Sequence, residues 1–317
     1  MRNKNFIEKE LLLVKNFIKD EIIEERSIKE LYRYIFQSDG KRLRAKLSLL
    51  SSSKNKRIHK KRIELAAVIE LLHTATLVHD DVVDNSSLRR GITSVNKFWS
   101  NAHGVLIGDY IYSKAFMLMI QIGKQGILSE LANATNDISK GELIQLDALN
   151  NTRIKLNDLE KISYFKTGRL FEAAAKSGAL LANSDTQFKK NISECAKNLG
   201  ILFQIKDDLL DYSKDSKKIG KPVFQDLREG KVTYPFYFAY ENANKAEKLN
   251  LKSFLGKSNL NEKFAYELIE KLGGIKKTES LAATYTKKAT QKANLIKDEY
   301  IKQEMLKLII LALNREK

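Results

Sequence analysis

"LAAVIELLHTATLVHD", residues 65 to 80, carries apolar side chains at helical spacing and holds neither glycine nor proline, so it reads as a helix with a buried face. "YIYSKAFMLMI", residues 110 to 120, has the same character. Only two prolines, Pro222 and Pro235, occur in 317 residues. The chain is therefore expected to be all-α. It is long enough to bury a sizeable core as one large domain or two medium ones. Breaks fall at "QSDGK" (37–41), "LNNTRIKLND" (149–158), "DYSKDSKKIGKPVFQDLREGK" (211–231), "GKSNLN" (256–261) and "LGGIKK" (272–277). The helical pattern resumes on each side with similar composition and without an internal repeat, which predicts a single domain over 1–317.

Composition narrows the setting. The lone cysteine, Cys195, excludes an internal disulfide and fits a reducing compartment. The first ten residues mix charges of both signs ahead of "LLLVKNFI" and show no signal-peptide core. Uninterrupted apolar runs do not reach spanning length, so a soluble, cytoplasmic protein without a transmembrane segment is expected. The net charge of +17 allows nucleic acid, an anionic membrane surface or small polyanions as partners. Much of it is scattered lysine. The densest run, "KNKRIHKKR" (54–62), reads as a solvated loop and is no sign of a nucleic-acid groove.

Acids interrupt the apolar pattern twice. "LVHDDVVD" (77–84) and "IKDDLLD" (205–211) place Asp80, Asp81 and Asp84, then Asp207, Asp208 and Asp211, at identical spacing between apolar flanks. On a helix, residues i and i+4 share a face and i+1 turns by about 100°, so each set presents two aligned carboxylates with a third beside them. A single set could be a solvated acidic face. Two copies point to metal, and Mg²⁺ prefers carboxylate oxygens with substrate phosphates completing its shell. The basic groups "DGKRLR" (39–44) and "LRRG" (88–91) supply arginine forks for phosphate. His73, seven residues before Asp80, shares nearly its helical stripe; by itself it would read as a satisfied core histidine.

"GKRLR", "ELLHTATLVHDDVVDNSSLRRG", "KTG", "LFQIKDDLLD" and "GKPVFQDLREGKVTYP" occur in that order. Taken together the series resembles the trans-isoprenyl diphosphate synthases, the polyprenyl synthetase family, over roughly residues 35 to 240. The resemblance implies a single-domain antiparallel helical bundle around a deep central cavity, the isoprenoid synthase fold, in a homodimer. It also implies Mg²⁺-dependent, head-to-tail condensation of isopentenyl diphosphate with an allylic diphosphate, with release of pyrophosphate. Asp80, Asp81, Asp84, Asp207 and Asp208 would then bind three Mg²⁺ ions against the allylic diphosphate, and Asp211 would act behind them or through water. Arg89, Lys166 and Lys231 would add cations to that diphosphate, with Lys221 nearby. Lys41, Arg44, His73 and Arg90 match the isopentenyl diphosphate positions. Thr167 and Gln204 would turn dipoles toward the developing carbocation. Outside the series, "KTG" reads as a helix end and Gln204 as a core amide.

Product length depends on the residues below Asp80. Ala75 and Thr76 are small where short-chain members of the family carry a bulky aromatic floor. The first acidic set also lacks two extra residues between its acids, and both features favour a product of about C35 to C45, octaprenyl being the reading preferred, for quinone side chains. Peripheral membrane contact could serve product release. Several departures accompany the match: Asp39 stands for the first of two glycines, Ala45 for a proline, and Phe224 and Gln225 for a glycine and an acid. The other readings are a short-chain (C15–C20) synthase, a noncatalytic subunit of a heteromeric synthase, a terpene cyclase, or a basic helical nucleic-acid binder. Asp207, Asp208 and Asp211 oppose a cyclase, the full set of acids opposes a noncatalytic subunit, and the paired acids leave a nucleic-acid binder unexplained.

Overall fold

The computed structural model describes residues 4–21, 25–37, 40–53, 59–212 and 223–315. Among them, helix follows helix: α1 (Lys4–Asp20), α2 (Arg26–Phe36), α3 (Leu43–Ser51), α4 (Lys60–Val83), α5 (Val95–Phe98), α6 (Asn101–Ile122) and α7 (Gln125–Asp147). After α4 a short antiparallel hairpin, β1 (Leu88–Arg89) and β2 (Ile92–Thr93), breaks the sequence of helices. Then come α8 (Leu156–Ser163), a π-helical turn (Tyr164–Gly168), α9 (Arg169–Leu181), α10 (Thr186–Asp211), α11 (Gln225–Arg228), α12 (Tyr234–Asn242), α13 (Lys245–Phe254), α14 (Glu262–Lys271), α15 (Gly274–Asn294) and α16 (Glu299–Leu313). The fold is all-α. Two compact units hold these elements, Met1–Thr135 with Ala173–Ser193, and Asn136–Glu172 with Glu194–Lys317.

In the first unit α4 is the central helix. It runs without glycine or proline, starts where the His59 ring accepts the Lys61 N–H, and buries Leu65, Ile69, Leu71, Leu72 and Ala75 completely. α6 lies along it, and Gly104 and Gly108 make the close approach possible. A Cβ at Gly104 would stand 2.6 Å from Val82, and one at Gly108 would stand 2.2 Å from the His79 ring. Two small residues four apart thus clear a flat strip for the end of α4 that carries the first acids. By length and composition α6 could cross a membrane, a test that core helices also meet; packing on α4 covers one side of it, while Leu106, Met117 and Ile120 stay exposed. α1 is fastened to α4 by a buried pair: Arg62 Nη2 donates to Glu10 Oε2 at 3.1 Å and to the Leu49 carbonyl at 2.8 Å, and Arg62 Nε donates to Ser52 Oγ. Such a charge is tolerated in a core because its donors are occupied.

In the second unit, α10 packs against the π-turn, and glycine again sets the distance. Gly200 faces Gly168 so closely that a Cβ on Gly200 would stand 2.7 Å from the Gly168 Cα. This backbone contact brings Thr167 within reach of Gln204, one turn further along α10. Gly200→Ala should therefore destabilise the fold by about 1–3 kcal/mol and lower turnover as the π-turn moves off α10; a melting curve and an activity assay check both parts. Phe171, Leu202, Ile205, Tyr212, Tyr234 and Phe236 fill this core. Their hydroxyls are satisfied, with Tyr234 Oη 2.9 Å from Ser163 Oγ and Tyr212 Oη 3.0 Å from Thr233 Oγ1.

Candidate active site

The first acidic set ends α4. Asp81 is 4% exposed, whereas Asp80 and Asp84 are half-buried. Past Asp84 the chain turns through Asn85 (φ 51°) into the hairpin, whose turn residues Arg90 (φ 52°) and Gly91 (φ 81°) are both left-handed, as a two-residue turn that follows the strand twist requires. The hairpin returns Arg89 to the acids: its Nε donates to Asp81 Oδ1 at 2.8 Å, and its Nη2 donates to the same oxygen. Burial works against the Arg89 charge, but the Asp81 bond and the charges of Asp81, Asp80 and Asp84 raise its pKa. Arg90 lies against Gly40, where a Cβ would come within 2.8 Å of the guanidinium. Beside the acids a cavity opens among Lys15, Arg42, Glu70, Asp81, Arg89 and Arg90.

Arg44 and His73 are paired. Arg44 Nη1 lies 2.8 Å from His73 Nε2. Burial, then Arg44, Arg90 and Arg89, push the His73 pKa well down, so the ring is neutral and accepts from Arg44. Lys41 is exposed ahead of α3. Ala75 is fully buried in α4, and the Thr76 hydroxyl donates to the His73 carbonyl at 2.7 Å. Lys221 lies outside the described residues.

The second acidic set ends α10 and has different partners. Thr167 Oγ1 donates to Gln204 Oε1 at 2.7 Å, and Gln204 Nε2 donates to Asp208 Oδ1 at 2.9 Å. Gln204 is thus a relay that orients Asp208. "KTG", which in isolation reads as a helix end, lies in a π-turn, and the widened turn carries Lys166 and Thr167. Lys166 Nζ is held by Glu142 Oε1 at 2.8 Å on α7. Lys231 Nζ pairs with Glu229 at 2.6 Å. Asp207 meets Arg315 Nη1 at 2.7 Å, and that guanidinium lies over the Phe203 ring at 4.0 Å.

Asp211 organises the following loop. Its carboxylate accepts the Gln225 N–H at 2.9 Å and the Asp226 N–H at 3.1 Å, and its carbonyl accepts the Phe224 N–H. Phe224 takes a left-handed conformation (φ 57°), which accounts for the glycine usual at this position. Here a phenylalanine is held in it by burial, its ring edge-on to Tyr212 at 5.3 Å. The loop carries Asp226 into the acidic group. Burial, then the Asp226 charge, pushes Asp211 up to about 8 and raises Asp208 well above the carboxylate range; burial also raises Asp226 itself, against the pull of Lys231. Three carboxylates that resist ionising together offer the hard oxygen donors a divalent cation prefers, although among the described residues no three acids, cysteines or histidines stand grouped as a finished metal cage. The chemistry of these acids suits Mg²⁺, and Asp211 is already engaged by two amides.

Sequence reasoning did not select Asp226, Arg315, Glu142, Arg42 or Glu70. Asp226, Arg42 and Glu70 stand within the recognised motifs and could have been chosen by their charge; Arg315 and Glu142 depend on tertiary placement.

Comparison with known proteins identifies a family. A family model described as polyprenyl synthetase matches residues 25–272. Octaprenyl diphosphate synthase of Escherichia coli (strain K12) is 33% identical over 292 residues, 92% of this chain and 90% of that protein. The crystal structure of octaprenyl pyrophosphate synthase from Helicobacter pylori superposes with a TM-score of 0.87 at 32% identity, covering 97% of this chain and 99% of the other. Polyprenyl synthase from Caulobacter crescentus CB15, complexed with calcium and isoprenyl diphosphate, gives a TM-score of 0.92 at 31% identity over 98% and 96% of the two chains.

Proposed function

This chain belongs to the polyprenyl synthetase family as a long-chain trans-prenyltransferase of the isoprenoid synthase fold, and we propose that it extends an allylic diphosphate such as farnesyl diphosphate with isopentenyl diphosphate to an octaprenyl product for quinone side chains. The observation that carries the reading is the pair of acidic sets at the ends of α4 and α10, each with its own cations and hydrogen-bond supports. The family is metal-dependent. Mg²⁺, as three ions, is the proposed metal, with Asp80, Asp81, Asp84, Asp207 and Asp208 as its ligands and Asp211 reaching it through water. Bound there, magnesium would neutralise the diphosphate leaving group as the allylic carbon–oxygen bond breaks.

The protein's own groups do the rest. Arg89, held in place by Asp81, donates to the allylic diphosphate, as do Lys166 and Lys231. Arg44 and Arg90, beside the neutral His73, and Lys41 hold isopentenyl diphosphate, so that two polyanions can lie near each other and the double bond is positioned for attack. The Thr167 hydroxyl oxygen and the Gln204 carbonyl turn their dipoles to the developing allylic cation. No side-chain base is assigned; the departing pyrophosphate takes the proton.

A single polyprenyl synthetase domain over residues 1–317, a homodimer, action in the cytoplasm and peripheral membrane contact at product release belong to the same proposal. The exposed apolar residues of α6, Leu106, Met117 and Ile120, support a covered face in the dimer. Incubation with Mg²⁺, farnesyl diphosphate and labelled isopentenyl diphosphate, followed by chain-length analysis, tests the reading; products no longer than C20 would overturn its long-chain part. Ala75→Phe should shorten the products without abolishing turnover, and unchanged lengths in the same assay would place the floor elsewhere.

A further inference from the structure

We propose that Glu70 is a positioning residue for the cations that hold isopentenyl diphosphate: its buried carboxylate is a remote cap that fixes the Lys41–Arg44 segment at the start of α3. This assignment rests on the proposed function. α3 begins without a cap of its own, because Arg42 occupies the cap position in a left-handed conformation (φ 45°, ψ 40°) and makes no side-chain cap bond. A non-glycine residue persists in that conformation only where its surroundings hold it. Glu70 Oε1, from α4, supplies the missing acceptor and takes the Ala45 N–H at 3.0 Å.

Three residues along α4, His73 takes the Arg44 guanidinium at 2.8 Å. α4 therefore grips the start of α3 twice, Glu70 on the backbone and His73 on the side chain. Glu70 is 9% exposed and lines the same cavity as Arg42, Arg89 and Arg90. Burial raises its pKa, against the Ala45 N–H and the charges of Arg44, Arg42 and Arg90. The carboxylate thus lies within the field of the arginines whose placement it sets.

Steady-state kinetics of the full chain and its Glu70→Ala, Glu70→Asp and Glu70→Gln variants test the assignment. Alanine removes the acceptor and aspartate draws it back, so both should raise KM for isopentenyl diphosphate by about ten-fold, the scale of a lost helix cap. KM for the allylic primer should stay within about two-fold of the parent chain, since Arg89, Lys166 and Lys231, outside this segment, hold that substrate. Glutamine keeps an oxygen for the Ala45 N–H and should rescue KM. A folded alanine or aspartate variant with unchanged KM for isopentenyl diphosphate, a parallel rise in both KM values, or a glutamine variant as impaired as alanine would overturn it. Should the alanine variant fail to fold, the aspartate variant decides. A parent chain that condenses nothing would instead overturn the proposed function.

Discussion

Asp208→Asn is expected to lower condensation turnover by about 10³-fold, the scale of removing a fixed electrostatic contact from a reacting charge, while the protein stays folded. Asparagine keeps an oxygen for the Gln204 amide, which Asp208 now accepts at 2.9 Å, so the relay from Thr167 survives. What goes is the negative charge, and with it one of the two oxygens that serve Gln204 and the Tyr234 N–H. In the absence of metal the charge is unfavourable, because burial and the Asp226 carboxylate raise the Asp208 pKa well above its ordinary value, and its removal offsets the weakened acceptor. The metal-free variant should therefore melt within a few degrees of the parent chain. Turnover within ten-fold of the parent would remove Asp208 from the metal site, and a large loss of stability would mean that its role is structural.

Magnesium should raise the melting temperature more at pH 8.5 than at pH 5.5, by several degrees. The sign follows from the carboxyls around Asp211. Burial and the Asp226 charge place the Asp211 pKa at about 8 in the folded protein, against an ordinary value of 3.8. A carboxyl whose folded pKa is raised binds protons more tightly folded than unfolded, so its contribution to stability is full below about pH 4 and is lost as pH rises toward 8. Asp208 and Asp226 are shifted in the same direction. Metal replaces those protons as the partner of the acids, so its stabilising effect grows across the same window. Melts with and without Mg²⁺ at each pH isolate this term from other titrations. Equal shifts at the two values would show that these acids are not where metal binds.

The helices and the acidic sets were legible because each is written locally. α4 declares itself through apolar spacing without a breaker, and Asp80, Asp81 and Asp84 repeat as Asp207, Asp208 and Asp211 at one spacing. The π-turn was not legible, since "KTG" carries no local mark of it and its Gly168 packs on Gly200, more than thirty residues away in the chain. Phe224 looked like damage to a glycine-bearing loop. In the structure it adopts the glycine-like conformation itself and offsets that strain by burial against Tyr212. The roles of Glu70 and Arg315 were equally hidden: a glutamate in an apolar helix carries no mark that it caps another helix, nor does a distant arginine show that it meets Asp207. Local patterns reveal which residues can bind charge, and tertiary contacts decide which of them are supported.

The central claim is that both acidic sets hold metal against a diphosphate. Its most direct test is anomalous scattering from crystals of the full chain grown with Mn²⁺, in place of Mg²⁺, and a non-hydrolysable allylic diphosphate analogue. The account predicts ions bound by carboxylates of the Asp80, Asp81 and Asp84 set and by Asp207 and Asp208, each also touching diphosphate oxygens. Ions confined to one set, or a diphosphate bound with manganese at neither, would contradict it.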